Sequence, residues 1–169
     1  MPTIKSPFNA IGAALAAVLM LSPSAASAAT STGQFKVTIT VQADCKLTST
    51  TDIAFGNTGV IQAALTASGA IGVQCTNTTP YNVGLNAGVG AGATVTARKL
   101  TSGAGATIDY SLYRDTAFTQ PWGDTVASNT LGGTGSGAIQ THTVYGRVPI
   151  QNTPAPGNYS DTVQVVVTF

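Results

Sequence analysis

The sequence contains no glutamate, one histidine and one tryptophan, and charged residues make up only 8% of its 169 positions. Ordinary globular domains carry about 25% charged residues, so the surface here must be built from uncharged groups. The charges nearly cancel: seven Lys/Arg face six Asp, and Lys5 is one of the seven. A nucleic-acid binder or a polybasic membrane module needs a cationic footprint, which this balance excludes. Acid–base and nucleophilic catalysis need titratable neighbours. With His142 alone, six scattered Asp and two Cys, no such set is visible, and the chain is expected not to be an enzyme. One His and isolated Asp residues do not form a ligand cluster either, so neither metal nor cofactor is expected. Long apolar runs are also missing. The longest, residues 10–21, spans about twelve positions where a membrane-spanning helix needs about twenty.

That run has another reading. Lys5 precedes it, and Pro23 with Ala26-Ser27-Ala28 follows it, which is the layout of a removable export signal cleaved after Ala28. Taking residues 1–28 from 169 leaves 141, enough for one domain and too few for two. In an exported chain an even pair of cysteines, Cys45 and Cys75, is expected to form a disulfide. The bridge would close a loop of about 31 residues, worth about 3.5 kcal/mol in the chain-entropy model.

What is present is β-forming: Thr, Val, Ser and Ala in abundance, with 19 Gly to punctuate them. Apolar residues alternate with period two, the pattern of a half-buried strand. Phe35, Val37, Ile39 and Val41 share one face of the first run. Ile53 and Phe55 follow, then Ile71, Val73 and Cys75, and after a turn at Thr79-Pro80 come Tyr81, Val83 and Leu85. Residues 94–100 form a short strand with Arg98-Lys99 near an edge, and Ile108, Tyr110 and Leu112 alternate in the next. Residues 115–136 read mostly as loop, most irregular at Gly132-Gly133-Thr134-Gly135. Val144, Gly146, Val148 and Ile150 lie on one side of a later strand, and Val163, Val165, Val167 and Phe169 on one side of the last. Arg114 with Asp115 and Arg147 with Asp161 are candidate ion pairs, and Trp122, Tyr113 and Tyr145 are candidates for capping the core or lining a binding surface. Seven or eight short strands in 141 residues, with one disulfide, predict an all-β, immunoglobulin-like antiparallel β-sandwich. Both ends of the mature chain are alternating strands with almost no charge to guard their edges, an invitation to pair with another chain.

A family resemblance rests on particular residues. Tyr145-Gly146-Arg147-Val148-Pro149, then Pro156-Gly157-Asn158-Tyr159-Ser160-Asp161-Thr162-Val163 and a terminal Val-Thr-Phe, resembles the C-terminal signature of the spore coat protein U domain family. Phe55-Gly56, Val73-Gln74-Cys75-Thr76, Thr79-Pro80-Tyr81, Leu112-Tyr113-Arg114-Asp115 and Trp122-Gly123 fall in that family's order, and the likeness covers about residues 33–169. The family includes subunits of archaic chaperone-usher pili of Gram-negative bacteria. The resemblance implies an incomplete sandwich completed by an N-terminal strand donated from the next subunit, in a surface pilus or coat-like assembly that supports adhesion and biofilm formation. It implies identical or related subunits, a periplasmic chaperone and an outer-membrane usher as partners.

On that basis residues 29–43 form the donor segment and residues 44–169 the sandwich. Phe35, Val37, Ile39 and Val41 are the donor plugs, and Val163, Val165, Val167 and Phe169 the acceptor edge and chaperone-binding strand. Two readings stay open beside it. The N-terminal alternation also fits an ordinary first strand of its own domain, which would make the protein a monomeric secreted module that binds carbohydrate or another surface. A minor or tip subunit is the third possibility, although 141 residues leave no room for an added recognition domain.

Overall fold

The computed structural model describes residues 27–169, so the expected export signal lies outside the described residues except for its last two positions. The described residues form nine strands in chain order: β1 (Cys45–Thr51), β2 (Leu65–Cys75), β3 (Pro80–Leu85), β4 (Arg98–Ser102), β5 (Thr107–Tyr113), β6 (Leu131–Thr134), β7 (Ile139–Val148), β8 (Tyr159–Ser160) and β9 (Val165–Thr168). Among the described residues there is no helix. Six strands make one sheet in the order β1-β2-β7-β5-β4-β8, and three make a second in the order β6-β3-β9. Every ladder is antiparallel. This is the all-β sandwich that the period-two pattern predicts.

The core lies between the sheets because each strand turns alternate residues inward. Ile71, Val73 and Cys75 of β2, Tyr110 and Leu112 of β5, and Val144 and Val148 of β7 come from the larger sheet. Tyr81, Val83 and Leu85 of β3 come from the smaller one and are at most 1% exposed. Trp122 is fully buried among them, its indole Nε1 donating to the Val83 carbonyl at 2.8 Å. It therefore serves the core and not a surface patch. Tyr81 reaches across to β7, its hydroxyl 2.8 Å from Nε2 of His142, whose pKa burial lowers. That contact accounts for the lone histidine as a structural bridge.

Cys45 and Cys75 sit directly opposite each other in the β1–β2 ladder and are joined as a disulfide. The bridge ties an edge strand with few inward apolar residues to β2, its neighbour in the larger sheet. Replacing both cysteines by serine should lower stability by about 3 to 4 kcal/mol on the loop-entropy argument, read as a lower urea midpoint.

Several elements differ from expectation for physical reasons. β1 has the sequence Cys-Lys-Leu-Thr-Ser-Thr-Thr, polar on both faces, and is mostly exposed, so no alternation announces it. Gly132 and Gly133 form a strand instead of an irregular loop: a Cβ at Gly133 would meet the Tyr81 ring within 2.5 Å, so only glycine lets β6 lie flat over that tyrosine. β2 and β3, read as neighbours round one turn, belong to different sheets. The last apolar run is two strands, β8 in the large sheet and β9 in the small one, because the chain crosses between sheets around Asp161. Ile150 is 67% exposed beyond the end of β7. Residues 35–41 form no strand in the single chain, which offers them no ladder partner.

Neither candidate ion pair forms. Arg114 donates to the Thr130 carbonyl at 2.7 Å, while Asp115 accepts from the hydroxyl and amide of Thr119 and the amide of Gln120. The Thr119 hydroxyl bond leads in holding the Asp115 pKa down. Arg147 lies over the Phe118 ring at 5.4 Å, and Asp161 is bonded by Tyr110 and two backbone amides. Arg98, expected near an edge, is fully buried.

Candidate functional site

The two sheets do not close against each other along one side. β9 pairs with β3 through Asn82 to Leu85 on one edge, and β1 pairs with β2 on one edge; among the described residues neither has a ladder partner on its other edge. Between the segments continuing from these edges lies a groove of about 1050 Å³. Its floor is the core itself, with Ile71, Leu85, Tyr110, Leu112, Val144 and Val148 reaching the cavity. One wall runs from Thr50 through Ile53 and Phe55 to Ile61, and the other from Thr153 to Val163 and Val165.

The first wall has its place because glycine clears it. A Cβ at Gly146 would come within 3.0 Å of Ile53 and Phe55, and one at Gly69 would collide with the Thr51 carbonyl. With those glycines, the strand-free segment after β1 crosses the sheet closely, and Phe55 packs edge-on to Tyr110 with ring centroids 6.3 Å apart. The second wall is anchored at its turn. Asn86 donates its amide to the Gln164 carbonyl at 3.1 Å and accepts from the Gln164 amide through its side chain at 2.9 Å.

Of the residues expected to form an acceptor edge, Val163, Val165 and Val167 are half-buried against the core, and the first two line the groove. Phe169 is 57% exposed and does not line it. Phe35, Val37, Ile39 and Val41 are 89%, 82%, 89% and 74% exposed. Four large apolar side chains in solvent, at every second position of the segment, are an unsatisfied hydrophobic stripe.

Chemically the groove suits an extended apolar peptide. Exposed strand edges offer backbone donors and acceptors, and the apolar floor takes every second side chain of an incoming strand. Two carboxylates, Asp52 and Asp161, are the charged groups of its lining. Among the described residues no group of three or more His, Cys, Asp or Glu is placed to hold a metal ion.

The sequence reading missed Arg98, Tyr110 and Asp161 as a group. Arg98 donates from Nε to the Asn86 carbonyl, from Nη1 to Val95, and from Nη2 to both Leu85 and Trp122, at 2.7 to 2.9 Å. Burial lowers its pKa, and the nearby Tyr110, Asp161 and Asp124 act the other way. The Tyr110 hydroxyl donates to Asp161 at 2.8 Å, and burial first, then that carboxylate, push its pKa up. Sequence showed only adjacent cations, Arg98 and Lys99, in a short strand, and nothing in it marked Arg98 as the one that turns inward.

The model of the Spore Coat Protein U domain matches residues 31–166. No curated protein matches the chain significantly. Among solved structures, the chain is similar to one in the crystal structure of the CsuC–CsuE chaperone–tip adhesion subunit pre-assembly complex, from the archaic chaperone-usher Csu pili of Acinetobacter baumannii. The identity is 26% and the TM-score 0.55, over 77% of this chain and 40% of the matched one. This chain thus spans less than half the length of that relative.

Proposed function

The chain belongs to the Spore Coat Protein U domain family, and from that membership and the open groove we propose that it is a structural subunit of a surface pilus or coat-like assembly. Subunits join by strand donation. Residues 1–28 direct export and are removed, residues 29–43 carry the donor strand, and residues 44–169 form the receiving sandwich. Phe35, Val37, Ile39 and Val41 of one subunit enter the groove of the next, pairing with the free edge formed by Val163 and by Val165 and Val167 of β9. Phe169, exposed at the end of that edge, serves contact with a chaperone.

The single observation that carries this reading is the pairing of deficits in one molecule. The sandwich has a groove of about 1050 Å³ with an apolar floor, and the same chain carries four solvent-exposed apolar side chains at strand spacing. At roughly 1.5–3 kcal/mol per buried side chain, four plugs contribute on the order of 10 kcal/mol before ordering costs. Because donor and acceptor are different surfaces, the contact is head-to-tail and generates a filament. The solved relative is a complex of a chaperone with a pilus subunit, which supports a periplasmic chaperone as the partner that occupies the groove before assembly. An outer-membrane usher would catalyse the exchange, and the finished filament would serve adhesion and biofilm formation.

Electrophoresis in SDS of protein sheared from producing cells tests the reading. Unboiled samples should give a ladder of multiples that collapses to one band on boiling without reductant. A single band of monomer size in both lanes points to a self-contained monomeric module.

A further inference from the structure

An apolar groove between two sheets does not stay open unaided. Protein interiors pack to nearly crystalline density, and facing sheets ordinarily settle about 10 Å apart. A groove of about 1050 Å³ with an apolar floor therefore needs something that fixes its rim.

The rim at one end is fixed by a single carboxylate. Asp161 lies where the chain leaves β8 of the larger sheet and heads for β9 of the smaller. Its Oδ2 accepts from the hydroxyl of Tyr110, whose ring stands in the groove floor on β5. Its Oδ1 accepts from the amides of Val89, in the segment after β3, and of Thr162, each at 2.8 Å. One side chain thus joins the large sheet, the segment following the small sheet's central strand, and the crossing that leads into the free edge. The segment after β3 is shaped to admit it: Gly88 has φ +84°, and a Cβ there would run into the carboxylate. Near them, fully buried Arg98 binds four main-chain carbonyls, among them those of Leu85 and Asn86 at the end of β3.

We infer that the Tyr110–Asp161 contact is a strut that holds the empty groove receptive, so that Tyr110 and Asp161 are positioning residues for strand capture and not merely for the fold. The inference rests on the strand-acceptor reading above and specifies how that site is kept ready. An acceptor edge fixed in advance leaves less to be ordered when the strand arrives, which strengthens and speeds capture. Once a strand fills the groove, its side chains occupy the cavity and β9 gains a second ladder partner, so the strut becomes redundant. Loss of the strut should therefore weaken capture while barely changing the filled molecule.

The test uses the full exported chain carrying Val37→Asp and Ile39→Asp, which cannot donate to its own kind, and a fluorescent peptide copying residues 30–43. Capture is followed by anisotropy. Tyr110→Phe removes one hydroxyl and keeps the ring; it should reduce the capture constant roughly five- to tenfold, the worth of one ordinary hydrogen bond. Asp161→Ala should do at least as much, and the double variant no more than Asp161→Ala alone, because the hydroxyl then has no partner to lose. Gly88→Ala, which crowds the carboxylate from the other side, should give the same defect. The same substitutions are placed in a version with residues 30–43 repeated after Phe169 on a flexible linker, where melting should stay within a couple of degrees of its parent. Unchanged capture by Tyr110→Phe overturns the inference. So does an equal loss in the filled version, which would make the contact a plain fold stabiliser. Failure of the parent to capture the peptide at all overturns the strand-acceptor reading, and this inference with it, and is told apart because it precedes any change at Tyr110 or Asp161.

Discussion

Replacing Val37 and Ile39 together by Asp should abolish filaments while leaving a folded, disulfide-bonded subunit. Both side chains are more than four-fifths exposed in the single chain, so the substitution removes no packing from the sandwich. In the donated position the same side chains must enter an apolar floor, where an unpaired carboxylate loses its hydration with no compensating partner. Two lost plugs forfeit roughly 3–6 kcal/mol of burial before the charge penalty is added. The expected result is the disappearance of every band above monomer in unboiled SDS samples, at unchanged monomer yield. Mixed with the unaltered chain, the double variant should still receive a strand and then donate none, so rising proportions should shorten filaments in a graded way. A variant that simply misfolded would leave filament length untouched.

The second large effect is expected at Arg98. Its guanidinium is fully buried and makes four hydrogen bonds to main-chain carbonyls, with no carboxylate in direct contact. Arg98→Met keeps most of the volume and deletes all four donors. The carbonyls of Leu85 and Trp122 are then left buried without a donor, and those of Asn86 and Val95 partly so. Each unsatisfied group costs about 1–3 kcal/mol, offset in part because burying the charge was itself unfavourable. The net loss should be about 3–5 kcal/mol, a large share of the stability of a domain this size. It is read as a sharply lower guanidinium chloride midpoint and a fall in periplasmic yield. Arg98→Lys keeps a charge but not the planar fork, and should fall between the two.

The stripe at Val37 and Ile39 and the buried Arg98 mark how far the sequence could be read. The strands with strict alternation, β2, β3, β5 and β7, were legible because their inward residues are apolar and their outward ones are not. The groove was legible only by inference from a spare apolar stripe before Cys45 and an unguarded last strand. Three things were hidden. β1 is polar on both faces and earns its place through the disulfide and its ladder to β2, neither of which leaves a periodic mark. β6 contains two consecutive glycines that signal a loop unless the tyrosine ring beneath them is known. The terminal run keeps its period of two while changing sheets at Asp161, because alternation records which side chains face inward and not which sheet carries them. Arg98 was invisible for a related reason: a cation defaults to solvent unless carbonyl groups converge on it, and the carbonyls here come from three separate parts of the chain.

The central claim is that the groove of one molecule receives residues 35–41 of another. The most direct measurement places a photo-crosslinking side chain at position 39 and mixes isotopically light and heavy copies, unfolded together and refolded, before irradiation and peptide mass analysis. The account predicts products joining position 39 to floor residues such as Leu85, Leu112 or Val144, with light chains linked to heavy ones. Crosslinks confined to single chains, or to surfaces outside the groove, would contradict it.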